Sequence, residues 1–298
     1  MNYAAFIITY ERAEILKNTI KSLFNQSLPP KEILIVDNSE TNETRELIDG
    51  LNNPKIKYHR VGYNSGPSGG AYYGLKIMAK TKYDWYYWVD DDNPPEENDL
   101  IEKIFTILPK IDIEKCGQIG KIGSRFNKST GELIRLKDEE LVDKIIEVDG
   151  IGGGQCKIIS AKVAKAGILP EKKLFFGFED LDIDLKIKKA GFKSYVSGKI
   201  FYESRKRSNR LNLESQRGVA TDITSLNRQY YSVRSLLTIF EANNYYLAFM
   251  YLTFKKLVSI PLSFKHGVKA GRNYAKVIFL AYYHFMKGRY GKIDLNLK

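Results

Sequence analysis

Three adjacent carboxylates, Asp90-Asp91-Asp92, end an aromatic-aliphatic run (Tyr86-Tyr87-Trp88-Val89) and are followed by Asn93-Pro94-Pro95. Consecutive like charges repel, and a divalent cation relieves the repulsion. Hard oxygen donors suit Mg2+ or Mn2+. Such an ion, held by one or two carboxylates, fills its remaining positions with phosphate oxygens and water. The run therefore predicts a metal-diphosphate site; the plainer alternative is a solvated acidic loop. A second acidic pair, Glu179-Asp180, follows Phe175-Phe176-Gly177-Phe178. An aromatic surround desolvates a carboxylate and raises its basicity, as a general base needs. The alternative is structural, because acids at a helix start are favoured by the helix dipole.

Two glycine-rich stretches lie between these acids in the sequence or beside them. Gly62-Tyr63-Asn64-Ser65-Gly66-Pro67-Ser68-Gly69-Gly70 precedes a helical pattern. Glycines there let backbone amides approach a phosphate at a helix N-terminus, or simply make a tight turn. The stretch lacks the GK[ST] of a P-loop and follows the third strand, so it is not the dinucleotide fingerprint either. Gly152-Gly153-Gly154 is either a floor beneath a ligand or a bend in a strand.

The elements that must position these groups alternate. Apolar runs at 3–9, 32–36, 56–61 and the run ending in Asp90 read as strands, with helical spacing between them. That alternation predicts an α/β fold with a mostly parallel sheet and helices on both faces. Ligands of such sheets bind outside the carboxyl ends of the strands, where Thr9, Asp37, the glycine loop and Asp90 to Asp92 would gather. A helix is expected over 100–108 and another after Glu179, capped by Gly191. Lys199-Ile200-Phe201-Tyr202 reads as a further strand, followed by Glu203. The two cysteines, Cys116 and Cys156, form no CxxC, which argues against a disulfide framework or a zinc site. The N-terminus has no basic stretch before its apolar run, so it reads as a first strand and not a signal peptide.

Charge divides the chain. Residues 1–203 are near neutral, whereas 204–298 hold 17 Lys and Arg against 4 Asp and Glu. The expected organisation is a nucleotide-binding and catalytic domain over 1–221 and a basic, aromatic-rich helical region over 222–298. The apolar runs at 245–254 and 277–285 are each shorter than the ~20 residues that span a bilayer. With flanking lysines and arginines they fit helices lying on an anionic leaflet. The alternatives are an ordinary helical subdomain or a homo-oligomer interface. A nucleic-acid-binding module using Arg205-Lys206-Arg207 and the tyrosines is a reading from another class, opposed by the acidic edge.

The ordered set of motifs resembles family 2 glycosyltransferases of the Rossmann-like GT-A fold. The matching pieces are Thr9-Tyr10-Glu11-Arg12, Val36-Asp37-Asn38-Ser39, Asn64-x-Gly66-x-x-Gly69-Gly70, Asp90-Asp91-Asp92, Gly152-Gly153-Gly154 and Phe178-Glu179-Asp180. Arg228-Gln229-Tyr230-Tyr231-x-x-Arg234 is similar to a motif of the rhamnosyl- and galactofuranosyltransferase branch. The resemblance implies a nucleotide pocket of Thr9, Arg12, Asp37, Asn64, Asp90 and Asp91, and a metal held by Asp92 with Asp90. It implies Asp180 as catalytic base with Glu179 its neighbour. Gly69, Gly70, Gly153 and Gly154 would contact the donor sugar or the acceptor. That branch often carries a histidine metal ligand where this chain has Glu203, so Glu203 either replaces it or the role is lost; a non-catalytic partner protein is the reading that follows from loss. The implied activity is inverting, Mn2+- or Mg2+-dependent transfer of a sugar to a glycan or lipid-linked acceptor in surface polysaccharide synthesis. UDP-galactofuranose is the first donor expected and dTDP-rhamnose the second. The implied location is cytoplasmic, peripheral on the inner face of the plasma membrane.

Overall fold

A computed structural model of the chain describes residues 1–142, 144–211 and 222–295. The expected boundary between residues 221 and 222 falls at the edge of 212–221, outside the described residues, as do 296–298. The first half alternates β1 (Tyr3–Thr9), α1 (Ala13–Phe24), β2 (Ile33–Asp37), α2 (Glu43–Leu51), β3 (Ile56–Arg60), α3 (Gly66–Met78), β4 (Trp85–Asp90) and α4 (Leu100–Phe105). There follow β5 (Cys116–Gly120), the hairpin β6 (Ser124–Asn127) and β7 (Glu132–Arg135), β8 (Ile145–Val148) and β9 (Lys157–Ser160). Next come α5 (Ala161–Lys165), α6 (Glu179–Lys189), β10 (Lys193–Ser197) and α7 (Gly198–Arg207). The C-terminal region is α8 (Ile223–Ala242), α9 (Tyr246–Ser263) and α10 (Val268–Met286).

Eight strands form one mixed sheet in the order β3-β2-β1-β4-β9-β5-β10-β8. Its β3-β2-β1-β4 half is parallel, and β9 runs antiparallel between β4 and β5. Alternate residues of β1 serve opposite cores, as a strand buried on both faces requires. Tyr3, Ala5 and Ile7 pack with Leu16, Ile20 and Leu23 of α1. Ala4, Phe6 and Ile8 pack with Ala71 and Leu75 of α3 and with Ile183 and Ile187 of α6. The parallel registers pair Thr9 with Asp37 and Ile8 with Asp90, so the polar ends of three strands lie along one rim.

The helical tail is not a detached appendage. Its core residues Leu226, Tyr230, Val233 and Leu237 share a cluster with Leu174, Phe175, Leu181 and Leu185 of the sheet-bearing body. Arg234 is fully buried and donates to the Leu174 carbonyl (3.2 Å), the Tyr230 hydroxyl (3.0 Å) and the Gly291 carbonyl (3.2 Å). Tyr230, Tyr231 and Tyr290 surround its guanidinium.

Three local expectations are corrected. Residues 199–202 are helical, within α7, because the Ser197 hydroxyl caps the Ile200 N–H (3.4 Å) and Phe201, Ser204 and Arg205 recur on one buried helical face. The glycine loop ends sooner than expected: α3 already begins at Gly66, with Pro67 in its first turn and Asn64 Oδ1 accepting the Gly66 N–H (3.0 Å). The apolar run 245–254 is not a short isolated segment, since α9 and the turn after it carry it on to His266. By length and composition, Tyr246–His266 is apolar enough to cross a membrane, at mean hydropathy 1.3.

Candidate active site

The rim of β1 and β4, the first turn of α3 and the loop before α6 enclose a cavity of about 480 Å3. It is lined by Thr9, Tyr10 and Arg12 after β1, by Asn38, Asn64, Gly66 and Pro67, by Asp90, Asp91 and Asp92, and by Phe175, Phe176, Glu179 and Arg228. The volume falls within the ~300–1,000 Å3 typical of small-molecule sites.

The three aspartates are not equivalent. Asp91 is buried; it accepts from the Thr9 hydroxyl (2.7 Å) and from Arg12 (3.2 Å), while its carbonyl accepts from Thr19 (2.5 Å). It is held as part of the scaffold. Asp92 is about half exposed and pairs with the same Arg12 nitrogen at 2.6 Å. Asp90 is raised to about 6, first by burial and then by the charges of Asp92, Asp91 and Asp180. The residues fit a hard divalent cation: an oxygen-only donor set, one exposed carboxylate, one partly buried carboxylate crowded by like charges, and open cavity beside them. No three His, Cys, Asp or Glu side chains converge on a common point among the described residues. A cation here would therefore draw the rest of its shell from a ligand and water.

Glu179 and Asp180 begin α6, and Glu179 lines the same cavity as this rim. The chain reaches them through Phe175 (φ 68°), Gly177 (φ 80°) and Phe178 (φ 67°), all in the left-handed half of backbone space. For phenylalanine this is strained, and it persists only where packing over-determines it. The restraint comes from α3 and α8. Ser68 N–H bonds to the Phe175 carbonyl (3.2 Å), Ser235 bonds to the Phe176 carbonyl (3.2 Å), and Tyr231 packs against both rings. Glu179 lines the cavity, with its Oε2 buried and without a hydrogen-bond partner among the described residues. Burial, then the charge of Asp180, pushes it up to about 8. Asp180 turns towards the glycine-rich turn, accepting from Gly153 N–H (3.3 Å) and from Leu181 N–H at the helix start (2.8 Å).

Beneath this pair lies a buried ion pair for which the sequence carries no signal. Lys157, on β9 and inaccessible to solvent, donates to Asp184 (2.7 Å) and to the Asp180 carbonyl (3.1 Å). Asp184 also accepts from Gln118 (2.7 Å) and Ile151 N–H (2.9 Å). One carboxylate thus ties α6, β5, β9 and the glycine-rich turn together. Arg228 is a second late addition: its motif was visible, but only the fold of α8 brings it to the cavity.

Several expected site residues stand elsewhere. Asp37 is fully buried, accepting from the Tyr58 hydroxyl (2.7 Å) and Ser39 N–H (2.9 Å), and its neighbour Asn38 lines the cavity instead. Gly69 and Gly70 face inward: a Cβ on Gly70 would lie 2.4 Å from the Ile8 side chain, so this glycine serves close packing of α3 on β1. Gly153 touches the site through its amide, and Gly154 lies between Asn93 and Asp90. Glu203 does not join the acids. It lies on α7 and lines a different cavity, with Leu100, Lys103, Ile107 and Lys199, because α7 is a helix and not the strand that would have delivered it to the rim.

Residues 4–166 match the family model described as Glycosyl transferase family 2. The chain belongs to this family. The matched span takes in the Asp90 to Asp92 rim and ends before Glu179. Galactofuranosyltransferase GlfT1 of Mycolicibacterium smegmatis is 26% identical over 102 residues, 34% of this chain and 33% of that protein. The match thus spans about a third of that relative's length. Among solved structures, TarS 1–349 of S. aureus in complex with UDP superposes with a TM-score of 0.55 at 14% identity, covering 99% of this chain and 94% of that one. GalNAc-T7 with UDP, GalNAc and Mn2+ gives 0.56 at 14% identity, covering 81% and 48%. Mannosyltransferase PcManGT of Pyrobaculum calidifontis, in complex with GDP-Man and Mn2+, gives 0.52 at 11% identity, covering 99% and 77%. At these identities the structures establish a shared GT-A-like fold with a C-terminal helical region.

The raised acids of this family 2 site give a stability signature. Asp90 and Glu179 hold protons more tightly in the folded chain than at their ordinary values of 3.8 and 4.5. Where the native state binds more protons, stability falls with rising pH. The contribution is complete below the ordinary values and is lost as pH rises through about 6 for Asp90 and about 8 for Glu179. Melting temperature measured in chelator should therefore decline towards alkaline pH, and Glu179→Gln should remove the upper part of the decline. An unchanged profile in that variant would mean Glu179 is not buried in its protonated form.

Proposed function

We propose that the chain moves a sugar from a nucleotide diphosphate sugar to a hydroxyl acceptor, with inversion at the anomeric carbon. The observation that carries this reading is that the Asp90–Asp92 rim and Glu179 line one cavity in a family 2 chain, with Asp180 beside Glu179 and near enough for its charge to act on Asp90. Asp92, with Asp90, would hold Mn2+ or Mg2+, whose charge offsets that of the departing diphosphate. Asp180 takes the acceptor proton, its carboxylate aimed by the Gly153 and Leu181 amides. Glu179, neutral at moderate pH through its burial, adds no further negative charge beside Asp90. Arg228 closes the cavity on the donor side and supplies a cation to the diphosphate; Phe175 and Phe176 restrict water. One base opposite the leaving group makes a single in-line displacement, hence inversion.

UDP-galactofuranose is the first donor of this reading, supported by the partial likeness to a galactofuranosyltransferase, and dTDP-rhamnose the second. The acceptor is a glycan or lipid-linked glycan of a surface polysaccharide, met by the protein on the inner face of the plasma membrane. Incubation with a panel of nucleotide sugars, with Mn2+ or chelator, tests the reading. Metal-dependent release of nucleoside diphosphate from one donor, and a product of opposite anomeric configuration, are expected. No turnover of any donor would favour a non-catalytic partner, and retention of configuration would overturn the single-displacement scheme.

A further inference from the structure

The outward face of α9 inverts the usual pattern of a surface helix. Tyr246, Leu247, Met250, Phe254, Leu257 and Val258 recur at helical spacing and are 43–68% exposed. The helix's polar groups point the other way or sideways. Lys255 pairs with Glu132 of β7 at 2.8 Å, Thr253 accepts from the Tyr282 hydroxyl at 3.0 Å, and Ala248 and Leu252 are buried. On α10, Phe285 packs near Phe249, and Phe279, Tyr283 and Met286 are exposed as well. Large apolar side chains gathered at helical spacing on an exposed face mark an interaction site.

The charge pattern says what covers it. From Ala242 to Ile293 there is no Asp or Glu, and nine Lys and Arg. A second copy of this chain, docked face to face on a two-fold axis, would oppose cations with cations. An anionic lipid leaflet complements both features at once, with acyl chains for the apolar stripe and headgroups for Lys265, Lys269 and Arg272 around the α9–α10 turn. We infer that α9 and the end of α10 form an in-plane membrane-docking surface, with the α9 stripe inserted among the acyl chains of an anionic leaflet. α9 lies along the surface and does not cross it. Crossing would break the Lys255–Glu132 ion pair and place Lys255 and Lys256 near the bilayer centre. This inference does not depend on the transfer chemistry, since its test needs no nucleotide sugar.

The test is co-sedimentation of the full chain with phosphatidylcholine vesicles, alone or carrying one quarter phosphatidylglycerol. Wild type should bind the anionic vesicles, bind neutral ones more weakly, and be released by alkaline carbonate. Met250→Glu with Phe254→Glu should lower partitioning at least ~100-fold, since each side chain contributes about 1.5–3 kcal/mol when buried. Both positions are exposed, so the melting temperature should hold; Leu247→Glu with Leu257→Glu is the second pair should the first fail to fold. Failure of wild type to bind either vesicle, or unchanged binding in a folded variant, overturns the inference. So does carbonate-resistant insertion, which would mean a spanning helix, or a wild-type dimer that the same substitutions convert to monomer.

Discussion

Asp180→Asn is expected to bind nucleotide as wild type does and to transfer sugar about 10²–10⁴-fold more slowly, the usual worth of a positioned general base. Asparagine keeps the shape of the side chain and an oxygen for the Gly153 or Leu181 amide, so the loop geometry should survive. What it loses is the ability to take a proton. Glu179→Gln is the informative partner. Glu179 is already held neutral by burial at moderate pH, and an amide replaces a neutral acid with another neutral group. The loss there should be less than about tenfold, because the base, Asp180, is untouched and Glu179 takes no proton in this scheme. Single-turnover rates with a fixed donor and acceptor separate the two. If Glu179→Gln is the crippled variant and Asp180→Asn is not, the proton goes to the side chain that lines the cavity, and the assignment reverses.

Asp184→Ala carries the largest expected cost in stability. It strands a lysine that solvent does not reach, leaves the Ile151 amide without its acceptor, and leaves Gln118 with Ser194 alone. Removing one partner of a buried pair typically costs about 3–5 kcal/mol, because an uncompensated charge is left behind. The double substitution Lys157→Met with Asp184→Leu should recover much of that loss, since apolar replacement of a buried pair is often neutral or better. Denaturant titration of the two variants reads the difference directly. The recovered double variant should still transfer poorly, because Lys157 Nζ also holds the Asp180 carbonyl and the glycine-rich turn hangs from Asp184. Stable folding together with full activity in that variant would reduce the pair to a core-packing feature with no part in placing Asp180.

The parallel half of the fold was legible because its strands are uninterrupted apolar runs closed by polar residues, and because the register then sets Thr9, Asp37 and Asp90 side by side. The two acidic motifs were legible for the same reason: each follows an aromatic run. Legibility failed where a residue's meaning depends on its partners across the fold. Ile200-Phe201-Tyr202 has strand-like composition, and only the Ser197 cap and the burial of Phe201 and Arg205 on one face make it a helix. Arg205 is buried because the Leu136 carbonyl and Asp138 receive it, partners nearly seventy residues earlier. The glycines of α3 suggested a phosphate loop, whereas Gly70 answers to Ile8 on a strand far earlier in the chain. Lys157 lies in a short, wholly buried strand where a charge has no local partner, and its role appears only with Asp184 beside it. In α9 the apolar run was visible, but not that Lys255 reaches back to Glu132 of β7.

If the Asp90–Asp92 rim grips a cation and, through it, a nucleoside diphosphate, nucleotide binding depends on that cation. Calorimetric titration of UDP into the full chain, first with Mn2+ and then with chelator, tests it most directly. Affinity should fall at least ~10-fold without the metal, about 1.4 kcal/mol, and Asp92→Ala should bind in Mn2+ as wild type does in chelator. Equal affinity under both conditions, or a metal-dependent Asp92→Ala, would contradict the claim.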